Sequence, residues 1–346
     1  MAAIRLKRFD LSFRTAYAQA KELALTQREV PLLTPGAVQT ESRRGSKFVY
    51  RYRYGAGGKR VAEYVGPESG KETTEKLEVI EEEIRAGAAF AETSGNLRKV
   101  GFYSADNSTV VTVARLFNAG IFRGGAMLVG SHAFGALLNE LGFSTAFPMT
   151  EDVDIARANR IQIAALPEGG FLELLRETGL LFQEVPELKR GAPATSFKVR
   201  GRTLKVDLLV PAKGKPYRNV KVPELKAHAT GLPFLGYLLE NPTQSVLIGR
   251  DRIVPILVPN AGRYCIHKLA VYALRSGSDN PKRDKDASQA ATLAAALAPE
   301  QDFLLHEAID AMDKAIRAKA RPGVRRALEW LGGDHAEAAR LLEPLA

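Results

Sequence analysis

LVGSHAFGALLNELGF, residues 128–143, followed by TEDVDIA, residues 150–156, decides the reading of this chain. Met127, Leu128 and Val129 form a short apolar run, and Gly130 with Ser131 makes a tight turn. Phe134, Leu137, Leu138 and Leu141 then recur at helical spacing. The order is strand, turn, helix and second strand. It sets Ser131 at a helix N-terminus, where free N–H groups and the helix dipole favour an anion such as a phosphate. On the second strand Asp152 and Asp154 are two residues apart, so the period of a strand puts both carboxylates on one face.

Two carboxylates held that close repel each other unless a cation lies between them. A hard divalent cation with oxygen ligands, such as magnesium, answers that need. TLKVDLLVP, residues 203–211, supplies a third acid, Asp207, inside an otherwise apolar strand, where an unpaired charge would be costly. The alternative for Asp207 is pairing with a neighbouring arginine. Three carboxylates beside a phosphate-binding turn point to a site for two magnesium ions and to phosphoryl or nucleotidyl transfer.

A Gly-Ser turn, an Asp-x-Asp strand and a later strand aspartate resemble the signature of the polymerase-beta-like nucleotidyltransferase superfamily. The resemblance is closer to a bacterial branch of uncharacterised nucleotidyltransferase-fold proteins and covers most of the chain. It includes LVGSHAF (128–134), EDVDIA (151–156), VDLLVP (206–211), GRYCIHKLAVYALR (262–275) and an N-terminal piece ending in YVGP (64–67). Twenty residues separate Ser131 from Asp152, a longer insert than the superfamily usually has and one the branch shares. The resemblance implies an α+β fold: a polymerase-beta-like core with a mixed sheet, an N-terminal helix and β-hairpin region, and a C-terminal helical domain. It implies Asp152, Asp154 and Asp207 as catalytic residues and metal ligands. Gly130 and Ser131 would hold the phosphates of a nucleoside triphosphate, and Lys268 would neutralise their charge. Lys285 and Asp286 resemble a Lys-Asp element near the active site of toxin-type relatives, although a helix-start ion pair explains them equally well. His267 reads as structural.

Composition sets bounds. At 346 residues the chain has room for two or three domains and a sizeable core. The divisions expected are 1–100 for the N-terminal helical region with its hairpin, 101–260 for the nucleotidyltransferase core and 261–346 for the helical domain. No run approaches the roughly 20 apolar residues that span a bilayer, and the charged N-terminus does not read as a secretory leader. One cysteine, Cys265, excludes an internal disulfide and a cysteine-based metal cluster. Together these point to the cytoplasm and to no membrane partner. A net charge of +10 points to a polyanionic partner, nucleic acid or nucleotide ahead of an acidic protein.

Residues 46–54, SKFVYRYRY, alternate strictly, with Phe48, Tyr50, Tyr52 and Tyr54 on one face and Val49, Arg51 and Arg53 on the other. After the turn GAGG, KRVAEYVG returns as the second strand of a hairpin. Arg43, Arg44, Lys47, Arg51, Arg53, Lys59 and Arg60 are its candidate nucleic-acid contacts, since an aromatic and basic ribbon can hold RNA by stacking and phosphate contacts. The competing expectation packs the tyrosines on the following helix and leaves the arginines solvated. That helix is expected over 71–96, with Glu81, Glu82 and Glu83 on its outside and a basic linker, Asn96 to Lys99, after it. From Ala261 onward the pattern is helical, with breaks at Arg321-Pro322 and Gly332-Gly333.

Read together, these features describe a magnesium-dependent enzyme that moves a nucleoside monophosphate from a nucleoside triphosphate to an acceptor, RNA (tRNA first) or protein. A small-molecule acceptor fits the basic, multi-part chain less well. A non-catalytic nucleic-acid-binding or partner-binding protein with the same fold is the alternative. Three clustered acids argue against it, because a binding module has no need of them. A toxin role with an antitoxin partner follows from the resemblance alone.

Overall fold

The computed structural model of the chain describes residues 4–147, 151–161, 166–187, 190–275 and 281–346. In chain order the first elements are β1 (Lys7–Arg8), α1 (Leu11–Leu25), β2 (Ala37–Arg43), β3 (Ser46–Tyr54), β4 (Arg60–Pro67), α2 (Lys71–Val100) and α3 (Asn107–Asn118). Next come β5 (Met127–Val129), α4 (Gly130–Leu141), β6 (Phe143–Ser144), β7 (Asp152–Ala156), α5 (Gly170–Arg176), β8 (Phe182–Glu184), β9 (Ser196–Val199) and β10 (Lys205–Pro211). They are followed by β11 (Asn219–Val222), β12 (Ala227–Leu232), α6 (Leu235–Leu238), β13 (Thr243–Ile248) and β14 (Ile253–Val258). The chain closes with α7 (Ala261–Tyr272), α8 (Pro281–Leu297), α9 (Asp302–Asp310), α10 (Lys314–Leu331) and α11 (Ala336–Leu342). Thr150 of the opening stretch, and residues 276–280 of the loop before α8, lie outside the described residues.

The fold is α+β around a mixed sheet of order β11-β12-β10-β7-β5, in which β9 also pairs with β10, and β8 with β9. β7 runs parallel to β10 and antiparallel to β5. β10 shows why the acids stand where they do: Val206, Leu208 and Val210 are buried on one face, and Lys205, Asp207 and Leu209 occupy the other. α4 is buried on nearly every side, and Gly142 ends it in the left-handed conformation. The Asn139 side chain on α4 bonds both the N–H and the C=O of Tyr103, so a buried amide joins the chain before α3 to the core. One hydrophobic cluster runs from the sheet through α3, α4 and α5 into α7, α8 and α10. No helix among the described residues is long and apolar enough to cross a membrane.

Two expectations for the N-terminal region are corrected. The hairpin is the central and last part of a three-stranded sheet, β2-β3-β4. β2, AVQTESR, is exposed along most of its length and carries no apolar alternation, so it reads as loop. The turn before β3 is Arg44-Gly45, both at positive φ, the backbone of a type I′ hairpin turn without its usual Asn-Gly signature. The sense of packing is also the reverse of the tyrosine-on-helix expectation. Val38, Val49 and Val65 share a face, and Ile80, Leu77 and Ile84 of α2 cover them. Arg51 lies on that covered face, 3% exposed, donating to the Pro35 carbonyl at 3.0 Å and to Glu83 of α2 at 2.6 Å. Three β-branched side chains against α2 outweigh the tyrosines, because the arginines this face brings with it find partners: Arg51 meets Glu83 and Arg53 donates to the Thr34 carbonyl. The tyrosine face points away from α2.

Two breaks expected in helices are absent. Asn96 to Lys99 belong to the last turns of α2, where Leu97 is buried against Phe9 and Phe102, and Gly101 supplies a left-handed cap. Pro322 sits inside α10 without ending it. The neighbouring Gly323 lies directly over the Leu269 backbone of α7, and this close helix–helix contact carries α10 through the missing N–H. The break at Gly332-Gly333 falls where expected, between α10 and α11.

Candidate active site

The three aspartates meet at one level of the sheet. Asp154 and Asp207 are register partners on β7 and β10, Asp152 is the partner of Lys205, and Val129 at the end of β5 is the partner of Asp154. Gly130 follows Val129 with φ +68, and a Cβ at this position would collide with Asp154 Oδ2. Glycine therefore serves twice here, since it tolerates the left-handed backbone and lets the start of α4 close onto a carboxylate. Ser131 is buried in the first turn of α4, and Tyr264 of α7 donates to the Gly130 carbonyl at 2.8 Å.

Like charges at this spacing are expensive, and the Asp154 carboxyl records the cost. Burial, then Asp207 and Asp152, push it up to about 7, against the pull of Lys268 and Lys205. Lys205 Nζ meets Asp207 Oδ2 at 2.7 Å. Partial burial works against that ammonium, but Asp207, Asp152 and Asp154 hold it above the ordinary lysine value. The lysine is thus the counter-ion the sequence reading did not name; it lies two residues from Asp207, on the same face. The other oxygen of Asp207, Oδ1, is buried with no hydrogen-bond partner. A buried carboxylate oxygen without a donor is a fit for a hard cation. As the side chains stand, no three acid, histidine or cysteine groups among the described residues converge into a ready metal cluster. The fit therefore rests on the orphaned oxygen and on the mutual repulsion of the acids.

The helical half faces this corner. Lys268 of α7 is largely shielded, its side chain 13% exposed and its Nζ 2.8 Å from Asp286 Oδ1 of α8 and 5.4 Å from the centre of the Tyr264 ring. Arg275 donates to the second oxygen of Asp286, which is 2% exposed. Burial opposes the Asp286 charge, but Lys268 and Arg275 hold its carboxyl below the usual range. Lys285 is half-buried. Burial and Lys268 lower its pKa, whereas Asp286, Asp152 and Asp154 act in the opposite direction. Lys285 is therefore within electrostatic reach of both the acids and the Lys268 network. Lys268, Arg275, Asp154, Gly130 and His267 line one cavity of about 240 Å³, whose remaining walls include Leu209, Leu232 and Tyr217. His267 is buried, its ring kept neutral with a pKa lowered to about 3 by burial and Lys268, and its Nε2 has no partner.

The structure brings together Gly130, Ser131, Asp152, Asp154, Asp207, Lys268, Lys285 and Asp286. Lys205, Tyr264 and Arg275 complete the corner. Arg275 shares a helical face with Lys268, which was legible from their spacing, whereas nothing in the sequence marks Tyr264. The seven cations of the N-terminal sheet form a separate group. Arg51 is buried under α2, and Arg53 is half-buried and donates to the Thr34 carbonyl at 3.0 Å. Arg43, Arg44, Lys47, Lys59 and Arg60 are exposed.

A family model described as nucleotidyltransferase matches residues 107–313, more than half of the chain. The matched segment contains all three aspartates, the Gly130 turn and α7 and α8; the β2-β3-β4 sheet lies before it. No curated protein matches the chain.

Proposed function

Because the chain belongs to the nucleotidyltransferase family, we propose that it transfers a nucleoside monophosphate from a nucleoside triphosphate to an acceptor, RNA (tRNA first) or protein. The observation that carries the reading is the corner itself: Asp152, Asp154 and Asp207 on paired strands, closed by a helix start that glycine alone can bring against Asp154. Asp152, Asp154 and Asp207 would hold the divalent metal, two magnesium ions in this reading. When bound, magnesium supplies charge neutralisation of the phosphates and lowers the pKa of an attacking hydroxyl.

The chain's own groups do the rest. The free N–H groups at the start of α4, beside Ser131, bind phosphate oxygens. Lys285 and the Lys268–Asp286–Arg275 network set positive charge opposite the acids. Asp286 bridges Lys268 and Arg275, one on each carboxylate oxygen. The cavity beside Asp154 is where the nucleoside sits, between apolar walls and Tyr217.

The test is incubation of wild type and Asp154→Asn with magnesium, each alpha-labelled nucleoside triphosphate and total tRNA, with RNA and protein resolved on gels. Label moved by wild type and lost in the variant supports the reading and names the nucleotide and the acceptor. Absence of transfer, together with no magnesium-dependent nucleotide binding by calorimetry, would falsify it.

A further inference from the structure

We propose that the outer face of the β2-β3-β4 sheet binds single-stranded polynucleotide by stacking unpaired bases on Phe48, Tyr50 and Tyr64 between the guanidinium groups of Arg43 and Arg60. α2 covers the opposite face of this sheet, and the aromatic face meets no helix in any ring contact the structure shows. Tyr64 is 54% exposed, and its ring centre lies 5.5 Å from that of Tyr50 and 6.1 Å from that of Phe48. Arg60 lies over the Tyr52 ring at 3.7 Å and Arg43 over the Tyr50 ring at 5.1 Å. Rings and planar cations thus alternate along one side of β3, with Tyr64 the most exposed ring beside the half-buried Phe48 and Tyr50.

Charge favours a polyanion. Of the seven Lys and Arg in residues 37–67, Arg51 and Arg53 belong to the face turned to α2, while Arg43, Arg44, Lys47, Lys59 and Arg60 are exposed, Lys47 lying 3.4 Å from Glu68. Glu41, the acid on the aromatic face, accepts from the Tyr52 hydroxyl and from Arg43 at 2.8 Å, and it also feels the charge of Arg60, so this face sets two guanidinium groups against one carboxylate. Arg44 and Lys59 stand in the turns at opposite ends of β3, placed to meet phosphates along a strand of roughly 25–30 Å at about 3.4 Å per residue. That length suits about four stacked nucleotides. Paired bases cannot present their faces to such a surface, and an acidic peptide would make no use of the rings. Single-stranded RNA and DNA share the chemistry recognised.

The experiment is fluorescence anisotropy of the full chain with a labelled, unstructured 12-nucleotide RNA, the same sequence as DNA, a duplex of that sequence, and a polyglutamate peptide. Tyr64→Ala should weaken single-strand binding about five- to a hundredfold, the range expected from loss of one stacked base, and Tyr64→Phe should stay within about threefold of wild type. Arg60→Gln should weaken it and flatten the salt dependence. Tyr64 is exposed, so an unchanged melting temperature checks that Tyr64→Ala stays folded. RNA preferred over DNA, or the reverse, identifies the source. No binding, equal binding of duplex or polyglutamate, or full binding by Tyr64→Ala overturns the proposal. Asp154→Asn should bind like wild type, so failure of transfer and failure of this surface are read separately.

Discussion

Gly130 is the residue on which the site turns. Its φ of +68 costs an alanine about 1 kcal/mol, and the added methyl would also displace the Asp154 carboxylate. Gly130→Ala should therefore lower stability by about 1–3 kcal/mol in urea melts and lower nucleotide transfer by at least about a hundredfold; a variant with wild-type turnover would show that Asp154 has no fixed place. Asp154 itself makes a prediction about pH. Its carboxyl titrates near 7 when folded and near 3.8 when unfolded, so between those values the folded chain holds a proton the unfolded chain has lost. Stability contributed by this group falls as pH rises from about 4 to about 7 and is flat above that. In EDTA, Asp154→Asn should raise the melting temperature at pH 8 and leave it nearly unchanged at pH 4. Equal shifts at both values would mean that the acids do not repel as their spacing indicates.

At the scale of elements, α7 and α10 meet through glycine. A Cβ on Gly323 would press on the Leu269 backbone, while Pro322 beside it withholds a helical N–H. The two residues should respond in opposite directions. Gly323→Ala should destabilise the chain by about 1–3 kcal/mol, as overpacking of a tight contact does, and Pro322→Ala should be neutral or stabilising. Urea midpoints of the two variants would check this, and a destabilised Pro322→Ala would show that the proline shapes the contact. The pair also shows what sequence reasoning can and cannot see. A proline beside a glycine reads as a break because the partner backbone, some fifty residues earlier, is invisible to local pattern. β2 was missed for a related reason: an exposed edge strand has no buried face to impose alternation. By contrast β5, α4, β7 and β10 were legible, because buried period-two and helical stripes write themselves into the sequence. The acids stood out against those stripes, and Lys205 was legible only as the neighbour two residues before Asp207, whereas Tyr264 gains meaning from its three-dimensional neighbours alone.

At the scale of the whole molecule, the family match ends well inside the packed body. Residues 107–313 hold the aspartates, yet their burial depends on segments at both ends. Before residue 107, Tyr103 packs beside α4 and its hydroxyl meets His132 Nδ1 at 2.6 Å, and Phe9, Tyr17 and Phe102 stack against the β13–β14 hairpin. After residue 313, Ile316, Ala320, Val324 and Ala327 of α10 are buried in the main cluster, to which α7 and α8 also belong. Leu342 and Leu345 close the same cluster. Cutting at the two limits exposes each of these surfaces, and large apolar side chains lost from a core cost about 2–5 kcal/mol apiece, which for several together exceeds the 5–15 kcal/mol that holds a typical domain. A chain of residues 107–313 should therefore be insoluble or melt without cooperativity, and should bind no nucleotide with magnesium. Deleting residues 37–67 alone should be milder, since that sheet buries a small separate cluster against α2, and it should leave a cooperative transition. Calorimetric scans of the two shortened chains beside the full one decide the matter. A sharp melt and magnesium-dependent nucleotide binding by 107–313 would mean that α1, α2 and α10 decorate the catalytic corner instead of holding it.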